Sequence, residues 1–220
     1  MGMDVTTYHA LQKAVGAKQY KNCLILGDCT FHNGMDLESF RQAISLESVA
    51  TIDLYGQPTI RADLQGSIPE GYWGKFDLIV DAGTLFCCFD VAQVWRNILL
   101  MLTDQGSVFH QAGLTGYFGR TYYSLHPALF RDFYQANGFE IAALAVRANR
   151  ARSWFGGRDG YQYIAPDDVF MTNSAGGSFR FGGKFTRHFR SIPNDATVIC
   201  MATRESVAPF QNALPVYYAG

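Results

Sequence analysis

The chain has no long apolar run. Its best candidate, between Phe76 and Gln111, is broken by Asp77, Asp81 and Asp90 and falls short of the roughly 20 apolar residues needed to cross a bilayer. No membrane-spanning helix is therefore expected. The opening residues, MGMDVTTYHALQKAVG, lack a basic start followed by an apolar core, so no secretory signal is expected either. Neither charge sign is in excess: 18 basic residues face 19 acidic ones, which argues weakly against a long nucleic acid as partner. Five cysteines, at positions 23, 29, 87, 88 and 200, show no CxxC spacing. They fit reduced, mostly buried thiols in a cytoplasmic protein. HExxH, a Cys/His cluster and a clear carboxylate triad are missing, so the sequence indicates no catalytic metal. No GxGxxG follows the first strand, which disfavours a nicotinamide dehydrogenase.

What is present is an α/β pattern. With 220 residues, 48% of them hydrophobic, the chain is long enough for one well-packed domain. Residues 76 to 112, FDLIVDAGTLFCCFDVAQVWRNILLMLTDQGSVFHQA, read as strand, loop, helix, turn and strand. Phe76 to Val80 is the short apolar run of a strand buried on both faces. From Asp90, a suitable N-cap, Val91, Val94, Trp95, Ile98, Leu99 and Leu102 recur at helical spacing. Asp104-Gln105-Gly106 is expected to close that helix, with Gly106 left-handed, before a strand from Ser107. The unit is βαβ, and a parallel sheet covered by helices is the expected result.

The remaining segments extend it. Val5, Tyr8, Leu11 and Ala14 predict a short leader helix that packs against the domain and could also help close a site. Cys23 to Leu26 is a strand ending in Gly27-Asp28, followed by a polar loop and a helix from about Asp36. A glycine at such a turn lets a ligand approach the backbone. Strands 48–54 and 58–64 carry Asp53 and Asp63 at their ends, on the edge where open α/β sheets bind ligands. Either carboxylate could instead be a plain turn former or helix cap. Pro127 opens a further helix that Gly138 ends, and 139–146 and 196–203 read as two more strands.

The ordered blocks LILGD (24–28), TIDL (51–54), ADLQGSIP (62–69), FDLIVDAGTLFCCFD (76–90), TDQGSVFHQ (103–111) and NGFEI (137–141) resemble the class I S-adenosylmethionine-dependent methyltransferases. The resemblance covers roughly residues 20 to 146. It implies a Rossmann-like three-layer α/β sandwich with a mostly parallel seven-stranded sheet and an antiparallel last strand, and S-adenosyl-L-methionine as cofactor. By the same resemblance Gly27, with Asp28 beside it, lies beneath the methionine part of the cofactor. Asp53, with Leu54, holds the ribose; Asp63, with Leu64, reads the adenine; and Asp81 faces methionine and substrate. The loop before the Pro127 helix borders the acceptor, which makes Tyr117, Arg120, Tyr122 and Tyr123 substrate-contact candidates, with His126 nearby. Their plainer role is a well-packed aromatic loop. The chain departs from the family pattern at Ile25, Cys29 and Phe31, where an acid and two glycines are usual. This leaves a variant loop that still binds the cofactor or a domain that has lost catalysis, and the retention of Asp53 and Asp63 favours the first.

Charge is unevenly distributed. From residue 36 to 90 nine acids face three bases, a setting that suits a cationic sulfonium. From 147 to 190 eight bases face three acids, among short strand-like pieces and paired glycines. That segment, about 147–195, is expected to be an antiparallel, basic insertion in a single 1–220 domain. Its basic face is solvated, meets an anionic acceptor, or forms a contact in a homo-oligomer. Methyl transfer to a hydroxyl needs alignment and removal of a proton, and His110, Asp81 and His126 are the candidate bases. The reading is a methyltransferase acting on a small-molecule or glycan-like acceptor, at oxygen; the alternative is a catalytically silent, methyltransferase-like partner subunit.

Overall fold

A computed structural model describes residues 2–31, 34–117, 119–148, 162–163, 172–173, 179–180 and 195–213. The main sheet is built from β1 (Asn22–Leu26), β2 (Ser48–Asp53), β3 (Ile60–Arg61), β4 (Phe76–Asp81), β5 (Leu102–Thr115), β6 (Phe139–Ala148) and β7 (Ala196–Arg204). Their order is β3-β2-β1-β4-β5-β7-β6, and the two-residue strand Gln162–Tyr163 adds antiparallel to the outer edge of β6. The pairs from β3 to β5 are parallel, whereas β7 runs antiparallel to both β5 and β6. Two short pairings stand outside this sheet: Gly2–Met3 lies parallel to Thr30–Phe31, and Thr172–Asn173 lies antiparallel to Phe179–Arg180.

Four helices cover the faces: α1 (Val5–Val15), α2 (Leu37–Ala43), α3 (Val91–Met101) and α4 (Pro127–Ala136). The apolar run of β1 serves two cores at once, because successive side chains point to opposite faces of a strand. Leu24 and Leu26 join the cluster containing Trp95 and Ile98 of α3 and Phe130 and Phe133 of α4. Cys23 and Ile25 join the cluster with Tyr8 and Leu11 of α1 and Phe40 of α2. Such a strand reads as continuously hydrophobic because it has no solvent face. The helix starts follow from capping: Asp4, Asp36 and Asp90 each accept a hydrogen bond from the backbone N–H three residues on.

The structure corrects three boundaries. α3 ends at Met101 and passes directly into β5, without the expected Asp104-Gln105-Gly106 turn. Gly106 is not among the positive-φ glycines, and a Cβ there would lie 2.6 Å from the Leu102 side chain. The C-terminal carbonyls of α3 are satisfied from a distance. Arg204 of β7 donates to the Leu99 carbonyl at 2.7 Å and reaches those of Leu102 and Thr103 at the start of β5 at 3.1 and 3.3 Å, while the N–H groups of Gly74 and Lys75 donate to Leu100 (2.8 Å) and Met101 (3.0 Å), so no local glycine cap is required. The strand expected over 58–64 shrinks to Ile60–Arg61, with Asp63 beyond its end, and β5 begins at Leu102 rather than Ser107. Most of the expected insertion at about 147–195 lies outside the described residues.

Candidate active site

The parallel strands deliver their carboxyl ends to one edge, and there the sequence candidates meet. Gly27, just past β1, has φ +90° and donates its N–H to the Ile52 carbonyl at 2.7 Å. A Cβ at Gly27 would stand 2.5 Å from Thr84 Oγ1 and 3.7 Å from Asp53 Oδ2. Only glycine fits this backbone and this gap. Thr84 is held in place by donating to the Leu26 carbonyl at 2.7 Å. Asp53, at the end of β2, accepts from the Asp28 N–H at 2.7 Å and the Tyr55 N–H at 3.1 Å. Asp28 in turn accepts from the Gln57 N–H at 2.9 Å, so the turns after β1 and β2 are bonded to each other. Leu54, next to Asp53, is exposed.

Asp63 accepts from the Gln65 N–H at 2.8 Å, and the adjoining Leu64 is buried. That loop is fixed from below by Asn97 of α3, a buried amide donating to the carbonyls of Leu64 and Gly66 at 2.8 and 2.7 Å. The loop is tied sideways as well, since Gln65 Oε1 accepts from the N–H groups of Phe89 and Asp90. Cys88 registers the resulting field. Burial, then the negative charges of Asp81, Asp63 and Asp53 among other neighbours, pushes its thiol up to about 12.

Asp81 ends β4 and is fully buried. Its Oδ1 accepts from the N–H groups of Gly83 (3.1 Å), Thr84 (2.6 Å) and Leu85 (3.2 Å), shaping the loop that holds Thr84 against Gly27. Its Oδ2 meets His110 Nδ1 at 2.8 Å, and His110 Nε2 meets the Tyr134 hydroxyl at 2.5 Å. Burial holds the Tyr134 hydroxyl well above its ordinary value, with Cys200 and Asp81 adding to the effect. The neutral Tyr134 hydroxyl can donate to or accept from Nε2; in the tautomer with the proton on Nδ1, His110 donates to Asp81 and accepts from Tyr134. His110 is 0% exposed with both ring nitrogens engaged, between β7 and α4. The sequence placed it at the end of its strand with access to an acceptor; β5 instead runs on to Thr115, and His110 is packed inside the sheet. His126 is the N-cap of α4, its Nδ1 accepting from the Ala128 N–H at 3.1 Å. Burial, then the positive charge of Arg131, lowers its pKa to about 4.

Beside this edge is a cavity of about 700 Å³. It is lined by Gly83 and Phe86 from the loop after β4, Tyr117 and Arg120 from the loop after β5, and Asp4 and Arg147. Of the four expected substrate contacts, Tyr117 and Arg120 line it. Tyr123 instead donates its hydroxyl to the Phe89 carbonyl at 2.8 Å, and Tyr122 lies exposed, edge-on to Phe89. The leader helix was expected to pack against the domain and to be able to help close a site, and the residues Asp4 and Thr6 at its start do line the cavity. Asp4 and Arg147 are 143 residues apart and form an ion pair at 3.0 Å, which no local pattern encodes. Asn97 could have been noticed as a polar residue on the apolar face of α3.

The strand order with antiparallel β7 between β5 and β6 decides the architecture. The fold is that of the class I S-adenosylmethionine-dependent methyltransferases. An S-adenosylmethionine-dependent methyltransferase from Archaeoglobus fulgidus superposes with a TM-score of 0.54 over 90% of this chain and 92% of its own, at 9% identity. The N-methyltransferase NodS from Bradyrhizobium japonicum WM9, in complex with S-adenosyl-L-homocysteine, gives 0.53 over 92% and 89%, at 10% identity. A chain of the complex between the Haloferax volcanii Trm112 methyltransferase activator and a methyltransferase gives 0.51 over 89% of both chains, at 12% identity. At these identities the likeness is one of fold. No protein-family model matches the methyltransferase-like chain, and no curated protein matches it in sequence. Among the described residues, no helix is long and apolar enough to cross a membrane.

Proposed function

We propose that this chain is an S-adenosylmethionine-dependent methyltransferase acting on a small-molecule or glycan-like acceptor, at oxygen. The observation that carries the reading is the convergence of Gly27, Asp53 and Thr84 at the sheet edge, where the Gly27 backbone runs so close to the Thr84 side chain that no Cβ fits between them. The donor set fits the cofactor. Gly27 and Asp28 would lie under the methionine moiety, Asp53 and Leu54 at the ribose, and Asp63 and Leu64 at the adenine. The carboxylates of Asp53, Asp63 and Asp81, whose field reaches Cys88, favour a cation at this edge. When bound, the cofactor supplies an electrophilic sulfonium methyl to an acceptor aligned in line with it.

The protein's part is positioning. Asp81 fixes the 83–85 loop through three backbone bonds, and His110 and Tyr134 lock Asp81. The acceptor occupies the adjacent cavity, against Tyr117 and Arg120. Asp81, His110 and His126 are not among its lining residues, which suits an acceptor oxygen that ionises without a protein base. The five free thiols suit a cytoplasmic setting. Incubation with methyl-labelled cofactor and a panel of hydroxyl, acid and amine acceptors tests this: a labelled O-methyl product is expected, and methyl on nitrogen would contradict the oxygen assignment.

A second reading rests on the variant glycine loop. Cys29 and Phe31 replace small residues there, and Phe31 is buried and paired with Met3. A loop built as a strand stub suits a silent partner subunit. Cofactor binding without transfer to any acceptor would favour that reading.

A further inference from the structure

The 700 Å³ cavity carries a charge pattern that the methyltransferase reading does not require. Among the described residues, two guanidinium groups, Arg120 and Arg147, line it together with a single carboxylate, Asp4. Arg147 is largely buried, with its side chain 14% exposed, and donates to Asp4 Oδ2 at 3.0 Å. Asp4 is held on its other side by the Thr7 N–H, which donates to Oδ1 at 2.6 Å. Burial alone would raise the Asp4 carboxyl; the Thr7 bonds and Arg147 together leave it lowered. The cavity thus already contains a carboxylate seated on a guanidinium, supplied by the chain itself. Phe86 and Tyr117, whose rings meet edge to face at 5.4 Å, add an apolar, aromatic part to the lining.

We propose that this cavity binds a small molecule bearing a carboxylate group, taken by Arg147 and Arg120, with the Asp4 carboxylate as the internal group it competes with. The inference rests on the methyltransferase reading only for calling that molecule the acceptor. A guanidinium fork matches a carboxylate in two parallel bonds, and partial burial strengthens the pairing. A volume of this size holds a ligand of one or two rings. Asp4 is also the N-cap of α1, so displacement of its Oδ2 contact leaves the Oδ1 cap, and the helix start, intact.

The probes are benzoate and its neutral isostere benzamide, measured by ligand-observed NMR on the full chain, with S-adenosylhomocysteine titrated in parallel. Benzoate is expected to bind at least about tenfold more tightly than benzamide, the scale of one charge-assisted bidentate contact. Arg120→Gln is expected to weaken benzoate severalfold. The Arg147 side chain is largely buried, so Arg147→Gln also perturbs folding, and Asp4→Asn is the discriminating variant. Asparagine caps a helix as well as aspartate does, and removal of the competing charge is expected to tighten benzoate severalfold. Equal binding of benzoate and benzamide, absence of benzoate binding, weaker benzoate binding in Asp4→Asn, or a preference for phenyl phosphate would each overturn the proposal. If S-adenosylhomocysteine still binds in those cases, the carboxylate assignment alone fails; if it does not bind, the methyltransferase reading fails with its own result.

Discussion

Gly27 shows how much one residue can constrain. Its φ of +90° and the 2.5 Å approach of Thr84 Oγ1 to a built Cβ leave no room for alanine. Gly27→Ala is expected to lower stability by about 1–3 kcal/mol, the combined scale of a left-handed non-glycine and a forced side-chain shift. Urea unfolding checks this. Asp53 is expected to act differently. Asp53→Ala removes a carboxylate that bridges two turns and, on the proposed reading, holds the ribose. Affinity for S-adenosylhomocysteine should fall by about 1.5–3 kcal/mol, the value of lost hydrogen bonds to a charged group. Unchanged affinity would mean that the ribose site lies elsewhere. Both residues were legible in the sequence, because a glycine after the first strand and an acid after the second are features of local order. Thr84, Asp4 and Arg147 were not, since their roles arise from contacts 57 to 143 residues away along the chain: Thr84 meets Gly27, and Arg147 meets Asp4. His110 was visible as a strand-end histidine, but its burial depends on β7 and on Tyr134 of α4, which only the assembled sheet brings to it.

At the scale of elements, ends are governed by what caps them. α4 begins at His126, whose pKa is depressed to about 4 by burial and by Arg131, with Asp132 opposing. Because the folded value lies below the unfolded value near 6.5, the neutral ring's contribution is complete above about pH 6.5 and is lost as pH falls toward 4. With partial exposure taken into account, the contribution is on the order of 2 kcal/mol. His126→Asn keeps a capping side chain and removes the titration, so its stability should fall less steeply than the parent's between those pH values in urea unfolding. α3 has a different device. Arg204→Met would leave the carbonyls of Leu99 and Leu102 without their donor and is expected to cost about 2–4 kcal/mol. Cofactor affinity should hardly change. Periodicity made the body of α3 legible, from Val91 to Met101, but its end was misread. The groups that satisfy its last carbonyls are Gly74 and Lys75 before it and Arg204 about a hundred positions later, and Gly106 offered a tempting local substitute.

For the molecule as a whole, two facts meet at one edge of the sheet. The strand order places the ends of β1, β2 and β4 side by side, and the residues there are glycine and carboxylates rather than hydrophobic groups. The order of elements was readable from alternating periods along the chain, because each strand and helix of this architecture is built from a contiguous segment. The cavity beside the edge was only half readable: Tyr117 and Arg120 belong to one loop, whereas Asp4 and Arg147 bring together the start of α1 and the end of β6. The central claim is that the sheet edge binds S-adenosylmethionine. Calorimetric titration of the purified chain with S-adenosylmethionine and S-adenosylhomocysteine, with NAD as control, tests it most directly. Saturable one-site binding of the first two and none of NAD is the predicted result. A folded sample that binds neither would contradict the account and leave this chain a methyltransferase fold without its cofactor.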